Sequence, residues 1–135
     1  MPIIYQKFIN REDLKANPKV LYVFGDNMQR HGMGGQAGAM RGEPNAVGVA
    51  TKELPSQYPN SFFYEKDWIK HSHQVRKDFF PVRMHLNNGG LVVIPLDGLG
   101  TGLSELHKYA PSLDLYIKDY IKGLEEVFRV VNNEV

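Results

Sequence analysis

The sequence contains no cysteine, a single tryptophan and almost no net charge: 16 Lys+Arg stand against 15 Asp+Glu in 135 residues, a formal charge of +1. Without cysteine there is no disulfide framework, no thiol nucleophile and no zinc site built on thiolates. Near-neutrality with scattered lysines and arginines excludes a broad phosphate-tracking face, so long nucleic acid is not an expected partner. No run of 18 apolar residues occurs and residues 1–7 lack a charged segment leading into an apolar one, so neither a membrane span nor a secretory leader is expected. The five histidines form no HExxH pair, and His71 and His73, two apart, point to different sides of a helix, so no metal and no other cofactor is expected. These absences leave a soluble, cytoplasmic protein of one domain, residues 1–135, long enough to bury a core without staples.

What the chain does have is glycine, 13 of 135, against a usual share of about 7%. Gly25, Gly32, Gly34, Gly35, Gly38, Gly42 and Gly48 crowd one stretch, and Gly98, Gly100 and Gly102 form another. Around them the pattern alternates. Residues 11–17 read as a short helix closed by Pro18. Residues 20–24, Val-Leu-Tyr-Val-Phe, read as a strand buried on both faces. A short helix is expected over 35–41, a second strand over 46–51 with Gly48 in its interior, and a loop from Lys52 to Phe63. An amphipathic helix spans 65–80 and is broken or kinked by Pro81. Asn88-Gly89-Gly90 stops a helix before a strand at 91–95. From Pro111 the apolar residues Leu113, Ile117, Tyr120, Ile121, Leu124, Val127 and Phe128 repeat at spacings of three and four, the mark of a long closing helix. Strands alternating with helices imply a layered α/β domain with its sheet between helices.

Both glycine loops follow strands: Phe24 leads into Gly25-Asp26-Asn27, and Pro95 leads toward Asp97-Gly98-Leu99-Gly100-Thr101-Gly102. In open α/β sheets ligands bind outside the carboxyl ends of the strands. Glycines there let backbone N–H groups approach an anion, and a following helix adds its positive end. Paired loops therefore suit a phosphate or diphosphate, and a nucleotide is the implied ligand. No GxxxxGK[ST] or GxGxxG fingerprint is present. Asp26, Asn27 and Asp97 are placed either to contact a ribose or base or to cap their own turns. Arg41 is a candidate phosphate partner. Glu43 is a candidate to act on water, although a surface pair is its commoner role. Glu105 and His107 are candidates for acid, base or ligand contact, with solvated loop positions the commoner outcome. Ser104 has no triad partners at a recognisable spacing, which argues against covalent catalysis through it.

Val23-Phe24-Gly25-Asp26-Asn27, Arg30-His31-Gly32-Met33-Gly34-Gly35-Gln36-Ala37, Val49-Ala50-Thr51-Lys52 and Val93 to Leu103 together resemble the small macro-domain-like proteins of bacteria and phages. The resemblance implies a three-layer α/β/α sandwich with a mixed sheet and ADP-ribose or a derivative as ligand. By position, Asn27 matches the asparagine near the distal ribose, Gly34 and Gly35 the first-loop glycines, and Gly98 to Gly102 the diphosphate loop. Ala50 stands where those relatives often have proline, and Asp26 where serine is commoner. The pair 34–42 and 98–106 is also similar to the motifs of nucleotide phosphoribohydrolases of the cytokinin-activating type, though Glu105 lies one residue too far from Thr101 for the second motif.

The resulting expectation is a domain that captures an ADP-ribose-type nucleotide, with hydrolysis of an ADP-ribosyl bond open and Asp26 or Asn27 positioning water. Ligand contacts are expected from Gly25, Asp26, Asn27, Gly32, Gly34, Gly35 and Gln36. Arg41, Thr51, Asp97, Gly98, Leu99, Gly100, Thr101 and Gly102 complete the set. The alternatives are a nucleotide-sequestering protein without catalysis, a phosphoribohydrolase-like enzyme, and a structural or interaction domain. Gly100→Val is the variant expected to block approach of an anion to the second loop.

Overall fold

A computed structural model describes residues 2–133. The strands are β1 (Ile3–Gln6), β2 (Leu21–Asn27), β3 (Ala46–Lys52) and β4 (Val92–Pro95). The helices are α1 (Arg11–Ala16), α2 (Ala37–Met40), α3 (Trp68–Asp78), α4 (Phe80–Asn87), α5 (Leu106–Tyr109) and α6 (Pro111–Asn133). The strands form one sheet in the order β1-β4-β2-β3, and every pairing in it is parallel. The expected mixed sheet is therefore corrected to a parallel one. Among the described residues the antiparallel pairing is an isolated bridge between Lys52 and Phe62.

Alternation along the strands builds three layers. Val23, Val92 and Ile94 face a core shared with Val75 of α3, Phe79 at the junction of α3 and α4, and Leu113 and Ile117 of α6. Tyr22, Phe24 and Val93 face the other way, onto Leu14 of α1 and Ala37 and Met40 of α2. Strands covered on both faces read as continuous apolar runs, which is why β2 and β4 were legible. β1 was not, because Ile4 and Tyr5 are exposed on this short edge strand.

Local chemistry explains the boundaries. Asn10 and Asp13 form a reciprocal capping box at the start of α1, and Pro18 follows its end. The helix expected over 65–80 is a 3-10 turn, Glu65–Asp67, followed by α3, and helical structure then continues past Pro81 as α4. Pro81 sits in the first turn of α4, where its missing N–H costs nothing, so it restarts a helix rather than ending the helical segment. Among the described residues no helix is long and apolar enough to cross a membrane.

The free edge of β3 is closed by side chains. Arg30 donates to the Gly48 carbonyl (3.2 Å) and, through the other guanidinium nitrogen, to both Asp78 oxygens (2.8 Å each), while Asp78 accepts from the Ala50 N–H (2.8 Å). An ion pair thus takes the place of a neighbouring strand and protects the edge from pairing with another chain.

Partial desolvation of its hydroxyl, then the Glu125 carboxylate that accepts from that hydroxyl, pushes the Tyr5 pKa well above the ordinary value of 10. Burial also raises Tyr22, with the Asn17 hydrogen bond opposing. Folded pKa values above the unfolded one give stability that is fully present below about pH 10 and lost as pH rises beyond it. The urea midpoint is expected to fall from pH 9.5 to 11, and less steeply in Tyr5→Phe; parallel curves for the two proteins would remove Tyr5 as the cause.

Candidate functional site

After β3 the chain passes behind β2 and inserts β4 on its other side, so the strand order reverses at β2 and β4. A crevice at the carboxyl ends of strands forms at such a switch point. Here it holds both glycine segments. A Cβ on Gly25 would lie 3.4 Å from Thr51 Oγ1 and 3.5 Å from the Gly100 nitrogen, so the second loop is laid across the end of β2.

Two adjoining clefts result. The first, about 170 Å3, is lined among others by Asp26, Asn27, His31, Arg41, Lys52 and Ser104. The second, about 220 Å3, lies between Gly34-Gly35-Gln36 and Asp97, Gly100, Thr101 and Gly102. Gly25, Gly34, Leu103 and Ser104 line both. Ligand sites of ordinary size start near ~300 Å3, a span these clefts reach together and not singly.

Gln36 fastens the loops to one another. Its side-chain oxygen accepts from the Gly25 N–H (2.8 Å) and its amide nitrogen donates to the Gly98 carbonyl (3.0 Å). Thr51 adds a second tie, donating to the Asp26 carbonyl (3.1 Å) and sharing a 2.6 Å hydrogen bond with Ser104. With both ends of the crevice clamped, the backbone between is left bare. The N–H groups of residues 32–36 and 99–104 find no protein acceptor among the described residues. Rows of N–H groups free of internal partners form an anion-binding concavity. α2 has only four residues, too few for its end to add much to the polarity of the loop amides.

The polar side chains of the first cleft are committed to one another. β2 runs on to Asn27 with an irregularity between Asp26 and Asn27, so both residues are buried in the strand end and not in a loop. Asp26 accepts from both terminal nitrogens of Arg41, one at 3.2 Å, and from the Asn27 N–H at 2.8 Å, with Arg30 at 3.6 Å. Arg41 also donates to the carbonyls of Gly32 (2.7 Å) and His31 (3.2 Å). Asn27 donates to the His31 carbonyl (2.7 Å) and accepts from the Gln29 N–H (3.1 Å). Arg41, expected to meet a phosphate, thus acts as a strut between Asp26 and the first loop, and Asn27 caps its own turn. The Asp26 carboxylate thus accepts three hydrogen bonds from the protein itself.

Gly48 accounts for the glycine inside β3: a Cβ there would collide with the Asp26 carboxylate. Glu43 pairs with Arg11 at 2.7 Å. Leu99 is buried in the core, Gly98 and Gly100 take positive φ, Asp97 and Thr101 are exposed on the second cleft, and His107 is exposed.

Sequence reasoning missed Lys52. It is 5% exposed at the end of β3, its ammonium donates to the Ser56 carbonyl (2.6 Å) and lies 4.8 Å from the Phe62 ring centre. Burial pushes its pKa down, with Glu105 opposing. Nothing in the sequence separates this lysine from a solvated strand end; the bridge to Phe62 that buries it is long-range. Met33 and Leu103, 58% and 54% exposed, also line the first cleft and were not anticipated.

A family model described as "Family of unknown function (DUF7831)" matches residues 4–120. No curated protein and no solved structure matches.

Proposed function

Starting from the chain's membership of the DUF7831 family, we propose that this protein binds an ADP-ribose-type nucleotide, with the diphosphate lying across the two glycine loops and the terminal ribose in the first cleft. The observation that carries the reading is the set of loop N–H groups without internal partners in the segments that line two adjoining clefts, which share Gly25, Gly34, Leu103 and Ser104. Lys52 and Arg41 add positive charge on the first-cleft side. Binding is better supported than turnover, because Asp26, the one carboxylate among the first cleft's lining residues, is paired with Arg41 and Arg30. Any conversion of the ligand is expected to depend on Lys52, whose lowered pKa leaves a larger share of free amine than an ordinary lysine has.

The test is competition among ADP-ribose, AMP and ribose 5-phosphate, followed by mass spectrometry of the recovered ligand. The expected order is ADP-ribose tightest by at least about tenfold, roughly 1.4 kcal/mol. Equal affinities would place no diphosphate in the loops. Intact ligand identifies a capturing protein, and conversion identifies an enzyme.

The Lys52 charge gives a pH signature. Its folded pKa lies below that of the unfolded chain, so the ammonium that attracts the diphosphate is lost earlier than the usual value of about 10.4, while the fold itself gains stability from this group as pH rises. ADP-ribose affinity is expected to weaken as pH rises toward the ordinary lysine value of about 10.4, and Lys52→Met to bind weakly and flatly over the same rise. A wild-type affinity constant to pH 10 would remove Lys52 from the ligand.

A further inference from the structure

We infer that the outer face of α3 and the start of α4 is a docking groove for a short stretch of single-stranded nucleic acid. The groove holds about 530 Å3 and is lined by His73, Arg76, Lys77 and Phe80, none of which takes part in the clefts at the strand ends. Positions 70, 73, 76, 77 and 80 fall on one side of successive turns, and all are exposed, whereas His71, Ser72, Val75 and Phe79 turn inward.

Residues 68–87 carry Lys70, Arg76, Lys77 and Arg83 against one carboxylate, Asp78, in a chain whose formal charge is only +1. That carboxylate is consumed by Arg30. None of the four cations forms an ion pair among the described residues, so the face suits an anionic partner. Phe80 decides which. The residue is 61% exposed beside the cations, and its ring joins no ring stack or cation–π contact among the described residues.

Cations that take phosphates beside an aromatic face that stacks a base are the two components of single-strand recognition; a polyacidic peptide would use the cations and leave the ring idle. From Lys70 to Lys77 the helix rises about 10 Å, room for two or three consecutive phosphates and not for a long duplex. The small footprint agrees with the near-neutral chain. The inference stands independently of the nucleotide reading.

The test is fluorescence anisotropy with a labelled oligothymidylate of about 12 nucleotides, within the site sizes of single-strand binders, at low and rising salt. Saturable binding is expected, with a log–log salt slope near −2, about −0.7 for each of three cations. Lys77→Glu is expected to weaken binding at least tenfold and Phe80→Ala about tenfold, both with unchanged thermal melting and unchanged ADP-ribose titration. Absence of saturable binding at low salt overturns the inference. So does a Phe80→Ala protein that binds as well as wild type, or equal competition by polyglutamate, which would make the face a docking site for acidic protein. A failed ADP-ribose titration beside intact oligonucleotide binding would sink the cleft reading alone.

Discussion

Gly100→Val is expected to lower stability by about 2–5 kcal/mol, a large part of the ~5–15 kcal/mol that holds a domain together. Gly100 has φ +78°, in the left-handed region that costs a residue with a Cβ about 1–2 kcal/mol. A Cβ at this position would also drive into the Leu106 side chain, and Leu106 is fully buried in the main core; overpacking of that kind costs a further ~1–3 kcal/mol. The loop is therefore shaped from beneath, by the anchor of α5, as well as from the ligand side. Loss of binding in Gly100→Val would report on the fold. The informative variant is Gly102→Val: Gly102 lacks a positive φ and an added Cβ there meets nothing within 4 Å. It is expected to match wild type in urea denaturation and to lose ADP-ribose affinity at least tenfold. A Gly100→Val protein with a wild-type urea midpoint would contradict the packing account.

Arg41→Ala is the second large effect. Asp26 is 6% exposed, and removing the guanidinium that meets both of its oxygens leaves a buried carboxylate with only the Asn27 N–H and a 3.6 Å approach from Arg30. Breaking a buried pair costs ~3–5 kcal/mol, and the remaining Arg30 places the expected loss near the lower end, about 3 kcal/mol. Adding Asp26→Asn to Arg41→Ala removes the orphaned charge and is expected to recover a substantial part of the loss, a coupling a double-mutant cycle measures directly. Because Arg41 also holds the Gly32 and His31 carbonyls, hydrogen exchange at Arg30 and His31, whose N–H groups donate to Asn27, is expected to quicken in the single variant. Additive effects of the two substitutions would show that the pair is not coupled.

The layered α/β architecture was legible because its strongest signals are local: apolar runs at 20–24 and 91–95, the glycines that follow them, and the three-four periodicity beyond Pro111. β1 escaped because an edge strand of four residues with Ile4 and Tyr5 exposed carries no alternation to detect. The all-parallel sheet escaped because strand direction depends on which neighbours the crossovers choose. Residues in the crevice were legible as a set, since both glycine segments do meet, but their individual work was not. That Gln36 bridges Gly25 to Gly98, that Arg41 spans to Asp26, and that Phe62 covers Lys52 are contacts between residues 10 to 62 positions apart, invisible to spacing rules. Gly48 is the instructive intermediate: an interior strand glycine signalled a close approach, and the approaching group is the Asp26 carboxylate.

The central claim, that the loop N–H groups at the ends of β2 and β4 receive the diphosphate of an ADP-ribose-type nucleotide, is tested most directly by calorimetric titration of wild type and Gly102→Val with ADP-ribose. Saturable one-to-one binding by wild type, weakened at least tenfold in a Gly102→Val protein of unchanged urea midpoint, is the predicted result. Absence of binding at millimolar ligand, no better than about −4 kcal/mol, or equal affinity in the two proteins, would contradict it.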